Sequence, residues 1–234
     1  MGFIPQFNWI LYIKKMKQLS IIYQFGGRPY LEKISRDFLG ESLGEFTDYE
    51  WIELDTHKNN LTIGAGFNRL VEQVKTEYVM NVLDDFAFFP YKHGDKSGEW
   101  VNMAITILEN RDDIGIINLR KEYDHKYNWT IKSHEEVKGI PFYIYEAFAN
   151  RGWSFNPLIM KTKVLKKIIP LDEEDKTGNV AEATGWENWQ KLGLEVAKLD
   201  VPYKGVCFHL GWNRSCYFGY KDRQEKIIRK YYGK

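Results

Sequence analysis

The sequence predicts an α/β fold in which a mostly parallel sheet carries helices on both faces within a single domain. Three observations predict it. Apolar runs of strand length alternate with helical patterns through the first half, turn residues stand at the junctions, and no repeat or low-complexity stretch breaks the order. At 234 residues, 44% of them hydrophobic, the chain is long enough to enclose one large core.

The elements follow in order. "QLSIIYQF" (18–25) is a continuous apolar run and reads as a buried strand. "GGRP" turns the chain, with Pro29 placed to open a helix over 30–40 that Gly40 is expected to stop. "YEWIELD" (49–55) alternates as a second strand. Phe67, Leu70, Val71 and Val74 have helical spacing within 62–74, and "YVMNVLDD" (78–85) reads as a third strand. A helix over 99–110 and a strand over 114–120 complete a βαβαβαβ order, which implies parallel strands joined through helices. Later, "GNVAEATGWENWQKLG" (178–193) reads as a helix and "GVCFHLGW" (205–212) as a strand.

Composition narrows the function. Lys and Arg number 33 against 32 Asp and Glu, a net charge of +1, so no general field draws the chain to nucleic acid. A local site must do the recognising. Cys207 and Cys216 are too few for a disulfide framework and form no CxxC motif, which fits a reducing, cytoplasmic setting. Sequons at Asn60, Asn128 and Asn213 decide nothing. The apolar stretch Phe3–Ile13 is too short to span a bilayer, and its lysines follow it instead of preceding it as in a secretory signal. No transmembrane segment is expected. Residues 1–17 read as an arm, with an interfacial helix making weak membrane-surface contact left open beside plain packing.

Asp55, Asp84 and Asp85 stand at the carboxyl ends of two expected strands, where an open α/β sheet places its ligand crevice. Hard divalent cations take oxygen ligands and are commonly held by one or two carboxylates plus substrate phosphates. The pair therefore suits a metal-bound diphosphate; capping of the turn after a strand is the structural alternative. In 205–212, alternation puts Val206, Phe208 and Leu210 on one face and Cys207, His209 and Gly211 on the other. His209 could then complete a metal site or be a hydrogen-bonded core histidine. Glu182, with Trp186 and Trp189 following it at helical spacing, could accept a proton from a hydroxyl. With Asn179 as N-cap it could equally form a capping box, and Glu187 is the reserve candidate for the base.

"SIIYQFGGRPYLEK", "WIELD" and "NNLTIGAGFNRLVEQVKTEYVMNVLDDFAFFP" together resemble the amino half of GT-A glycosyltransferases, most like the family 2 type. The resemblance covers about residues 18–120 and returns around 178–212. It implies a Rossmann-like sheet, a nucleotide-diphospho-sugar donor, and a divalent cation, Mn²⁺ or Mg²⁺, on the aspartate motif. By the same resemblance Asp55 lies near the base or ribose, Arg28, Asn60, Asn68 and Asp84 bind the nucleotide-sugar, Asp85 and His209 hold the metal, and Glu182 is the catalytic base. Many relatives show three acids before an aromatic, whereas this row is Leu83-Asp84-Asp85-Phe86. Aligned on Phe86, Asp85 takes the last acidic position; aligned on the first acid, Phe86 would take the ligand position.

The expected organisation is an arm (1–17), a nucleotide-sugar-binding half (18–120), and an acceptor-binding half with a C-terminal tail (121–234) of the same domain. The expected function is metal-dependent transfer of a sugar, with inversion, to a glycan or other hydroxyl acceptor. A noncatalytic glycan- or nucleotide-sugar-binding module of the same fold is the alternative. A nucleotidyltransferase would use the same carboxylate and metal logic, but "QFGGRPY" lacks the basic glycine-rich signature expected near its first strand.

Overall fold

A computed structural model describes residues 18–89, 92–93, 96–120, 130–146, 153–201 and 205–210. The N-terminal arm, Asn128, Gly211, Asn213 and Cys216 lie outside them. In chain order the elements are β1 (Leu19–Phe25), α1 (Pro29–Leu43), β2 (Tyr49–Asp55), α2 (Ile63–Gln73), β3 (Tyr78–Leu83), β4 (Phe86–Phe88), β5 (Lys92–His93), β6 (Lys96–Ser97) and α3 (Glu99–Asn110). There follow β7 (Ile114–Asn118), β8 (Ile131–Val137), β9 (Ile140–Tyr145), β10 (Leu158–Lys161), α4 (Thr162–Ile168), α5 (Asn179–Gln190), β11 (Glu195–Leu199) and β12 (Cys207–His209).

Among the described residues the main sheet has eight strands in the order β2-β1-β3-β10-β7-β11-β9-β8. β1 pairs in parallel with β2 and β3, as the alternating order of strands and helices implies, and β7 pairs in parallel with β11. The sheet is nonetheless mixed. β10 enters antiparallel between β3 and β7, and β9 runs antiparallel to both β11 and β8. Sequence could not reveal this: β10 is four residues, all buried, with no alternation to mark it as a strand.

Alternation along β1 sorts the two faces. Leu19, Ile21 and Tyr23 face a core shared with α1 and α3, while Ile22 faces a second core shared with α2, α4 and α5. Helix α2 shows how sequence sets one of these contacts. The side chain of Thr62 caps it by accepting from the Ala65 amide at 3.1 Å, and Phe67, Leu70 and Val71 are fully buried on one face. Burying each is worth about 1.5–3 kcal/mol, and Phe67→Ala alone should cost about 3–5 kcal/mol.

Helix α1 differs from expectation at its end. It runs through Gly40 and stops at Gly44, whose positive φ of 49° lets its amide reach back to the Gly40 carbonyl at 3.0 Å. Trp100 locks α3 against it, donating to the Ser42 carbonyl at 3.0 Å. Among the described residues, no helix is long and apolar enough to cross a membrane.

β3 ends at Leu83, two residues earlier than expected, so Asp84 and Asp85 occupy a turn. From there β4 leaves the main sheet and pairs antiparallel with β12, setting Phe86 opposite His209. That small ladder brings residues 124 apart in sequence, Asp85 and His209, into contact.

Candidate active site

The carboxyl ends of β1, β2 and β3 form one rim, with Phe25 in register with Asp55 and Gln24 with Leu83. Asp84 is anchored into it by its backbone amide on the Gln24 carbonyl at 3.2 Å and by the Gly26 amide on Oδ2 at 3.2 Å. Its side chain is only 1% exposed. Arg28, just before α1, reaches across to both acids. Nε donates to Asp84 Oδ2 at 3.2 Å, Nη2 donates to Asp84 Oδ1, and Nη1 donates to Asp85 Oδ2 at 3.2 Å.

His209 completes the cluster. Its Nε2 lies 3.1 Å from Asp85 Oδ2, its ring centroid is 4.9 Å from that of Phe86, and the next amide, Leu210, donates to the Asp85 carbonyl at 2.7 Å. The two adjacent carboxyls are driven apart in acidity. Burial works against ionisation of Asp85, but the His209 imidazole and the Arg28 guanidinium outweigh it and hold that carboxyl below the usual range. Asp84 is displaced upward, because burial and the neighbouring Asp85 charge exceed the pull of Arg28.

A cavity of about 610 Å³ opens in front of this cluster. Gln24, Arg28, Asp84 and Asp85 line one side, Thr56 and Asn60 another, and Lys176 and Thr177 a third. Arg28, Asn60, Asp84 and Asp85 are thus brought together. Asp55 sits beside the cavity without lining it: Oδ1 accepts from the Lys58 amide at 2.9 Å and shapes the turn that presents Thr56 and Asn60. Asn68 lies elsewhere. Buried in α2, it donates to the Leu171 carbonyl at 3.0 Å and to Glu173 Oε1 at 2.7 Å, and its Oδ1 accepts from the Leu171 amide at 3.0 Å. It therefore holds the 171–178 segment, and with it Lys176 and Thr177, against α2.

Sequence reading passed over Lys176 and Thr177 because "LDEEDKTG" looks like a solvated polar turn. Contacts more than 100 residues distant make it a wall. The Thr62 hydroxyl, besides capping α2, donates to the Glu173 carbonyl at 2.8 Å, and Gly64 admits the Asp172 carbonyl so closely that a Cβ there would lie 1.9 Å from it.

Glu182 stands in the first turn of α5, in a second cavity of about 230 Å³ lined by Trp153, Asn179, Ala183 and Trp186. Thr177 lines the larger cavity and Asn179 the smaller, so Gly178 alone separates the two linings along the chain. No capping box forms. The N-cap is Gly178, in the left-handed conformation at φ 78°, and Glu182 Oε1 accepts instead from the Phe155 amide at 3.2 Å. Asp175 satisfies the helix end, accepting from the Val180 amide at 2.8 Å. Burial pushes the Glu182 carboxyl up, and the Phe155 amide and the Arg120 guanidinium only partly oppose it. Glu187 is exposed on α5 and lines neither cavity.

Neither a protein-family model nor a curated protein matches this sequence. Among solved structures, the fold is similar to that of TarS 1–349 from S. aureus, a glycosyltransferase, with a TM-score of 0.54 at 14% identity. The match covers 82% of this chain and 60% of TarS 1–349, so the chain spans less than two thirds of that structure. The likeness concerns the fold alone: a mixed α/β single domain.

Proposed function

We propose that this chain is a glycosyltransferase that moves a sugar, with inversion, from a nucleotide-diphospho-sugar to the hydroxyl of a glycan or other acceptor, using Mn²⁺ or Mg²⁺. The observation that carries this reading is the pairing of cavities: a polar one faced by Asp84 and Asp85 at the rim of the sheet, and beside it a smaller one holding Glu182.

The residues present fit a divalent cation. Asp85 Oδ1 is buried and has no hydrogen-bond partner, and an imidazole nitrogen stands against the other oxygen of the same carboxylate. Among the described residues no group of three or more His, Cys, Asp and Glu side chains is placed to hold a metal ion by itself. Asp85 and His209 would thus supply two donors and leave the remaining positions to phosphate oxygens and water, as Mg²⁺ sites commonly do. When bound, the cation supplies charge neutralisation for the departing diphosphate.

The chain's own groups do the rest. Arg28 and Lys176 add positive charge to the walls around a diphosphate, while Asn60 and Thr56 offer polar contacts to the nucleoside. Asp55 supports that side of the cavity by fixing the turn. Glu182 accepts the proton of the acceptor hydroxyl as its oxygen bonds to the anomeric carbon. The bond from that carbon to the phosphate oxygen breaks, and the nucleoside diphosphate leaves with the electron pair. A carboxyl raised toward neutrality is better matched to this transfer than an ordinary glutamate.

A noncatalytic module is the second reading, and the observation favouring it is that Arg28 already forms ion pairs with both aspartates. Two measurements decide. A nucleoside diphosphate should raise the melting temperature more with Mn²⁺ than with EDTA, and Asp85→Ala should remove the difference, because a ligand stabilises according to its occupancy of the folded state. Slow metal-dependent hydrolysis of a nucleotide-sugar would then separate enzyme from module. Equal stabilisation with and without metal would overturn the assignment.

A further inference from the structure

Arg28 meets both carboxylates at once. Three of its nitrogens donate, two to Asp84 and one to Asp85, while its side chain remains 23% exposed and lines the larger cavity. The two attachments are unequal. Asp84 is almost fully enclosed and is also held by the Gly26 amide, whereas Asp85 offers Arg28 only Oδ2, which it shares with His209. A planar guanidinium can surrender one arm and keep the other two, which a lysine ammonium cannot do in the same geometry.

We propose that Arg28 is a transferable counter-ion. Before the donor arrives it pairs with Asp84 and Asp85 together. A divalent cation at Asp85 and His209 places like charge beside the guanidinium, so Nη1 leaves Asp85 while Nε and Nη2 stay on Asp84. The freed arm faces the cavity and takes a non-bridging oxygen of the diphosphate. Cation and Arg28 therefore compete for Asp85 but cooperate once a diphosphate is present, which makes the site selective for diphosphates over monophosphates. This inference rests on the metal reading above and assigns Arg28 a role which that reading does not require.

The test measures two affinities on wild type, Arg28→Met and Arg28→Lys, with circular dichroism to verify folding. Binding of Mn²⁺ alone, followed by the paramagnetic resonance of the free ion, should tighten about tenfold in Arg28→Met, since the competitor is gone. Binding of a nucleoside diphosphate with saturating Mn²⁺ should weaken about tenfold or more, while binding of the corresponding monophosphate changes little. Arg28→Lys, which keeps the charge without the fork, should lose the diphosphate preference and gain less affinity for Mn²⁺; it carries the test if the methionine variant does not fold. If Mn²⁺ binds wild type and neither folded variant binds it more tightly, the competition is refuted. If diphosphate and monophosphate weaken equally, Arg28 acts only as a structural ion pair and the proposal falls. Absence of Mn²⁺ binding to wild type, unaltered by Asp85→Ala, would overturn the metal reading and this inference with it.

Discussion

The amide of Phe155 donates to Oε1 of Glu182 at 3.2 Å, joining the segment before β10 to the first turn of α5. One carboxylate oxygen is thereby fixed in place. Gly185 lets the two parts approach: a Cβ there would lie 2.2 Å from the Trp153 ring, so only glycine allows that indole to lie against the helix beneath Glu182.

Glu182→Gln keeps the oxygen that accepts from Phe155 but cannot accept a proton. Turnover with saturating donor and acceptor should fall by roughly 10²- to 10⁴-fold, with donor affinity unchanged. Stability should move the other way. Because burial raises the Glu182 pKa, the folded protein holds this proton more tightly than the unfolded chain. The linked stabilisation is complete below the ordinary glutamate range and is lost as the pH rises through the raised folded value. Glutamine suffers no such loss, so the variant should melt at or above the wild-type temperature at neutral pH, the gap closing in acid. A variant that keeps most of its turnover would remove Glu182 from the mechanism.

Asn68→Ala removes three hydrogen bonds between α2 and the 171–178 segment and leaves the buried Leu171 amide and carbonyl without them. Denaturant unfolding should show a loss of about 1–3 kcal/mol. Nucleoside diphosphate binding should weaken as well, because Lys176 and Thr177 lose their support. Stability lost with affinity intact would show that this wall does not touch the ligand.

Two glycines should respond oppositely to the same methyl group. Gly40 lies within α1 and, beyond its own stretch of helix, nothing comes within 4 Å of a Cβ placed there, so Gly40→Ala should stabilise by about 0.5–1 kcal/mol. At Gly64 the methyl would strike the Asp172 backbone carbonyl, and Gly64→Ala should destabilise by about 1–3 kcal/mol or more. Chemical denaturation of the pair measures both.

The first half was largely legible because local chemistry writes it. Pro29 opens α1, the helical spacing of Phe67, Leu70 and Val71 marks α2, and apolar runs delimit β1 and β3. Asp84 and Asp85 could be placed for the same reason, since a strand end fixes where the next residues go. What sequence hid depends on remote partners. Gly40 and Gly44 are both chemically suitable stops, and packing under α1 chooses the later one. Asn179 looks like a cap until Gly178 is found at that position and Asp175 is found accepting from the Val180 amide. Asn68 resembles a ligand contact until its three partners at Leu171 and Glu173 are seen. The Asp85 and His209 contact was foreseeable only by resemblance, because the β4 and β12 ladder that makes it lies outside the main sheet.

The place of β10 has a further consequence for how the chain reaches its native state. β3 and β7 do not pair with each other; residues 158–161 lie between them and pair with both. Until that segment has left the ribosome, the nascent β1, β2 and β3 keep an open edge and β7 has no place to dock. Such non-local closure slows folding and prolongs exposure of unpaired backbone. The halves that bind donor and acceptor in the proposed reaction therefore cannot mature in succession. The larger cavity becomes firm only when the chain carrying Glu182 is also in place, so a partly made protein would hold neither cavity in its final form.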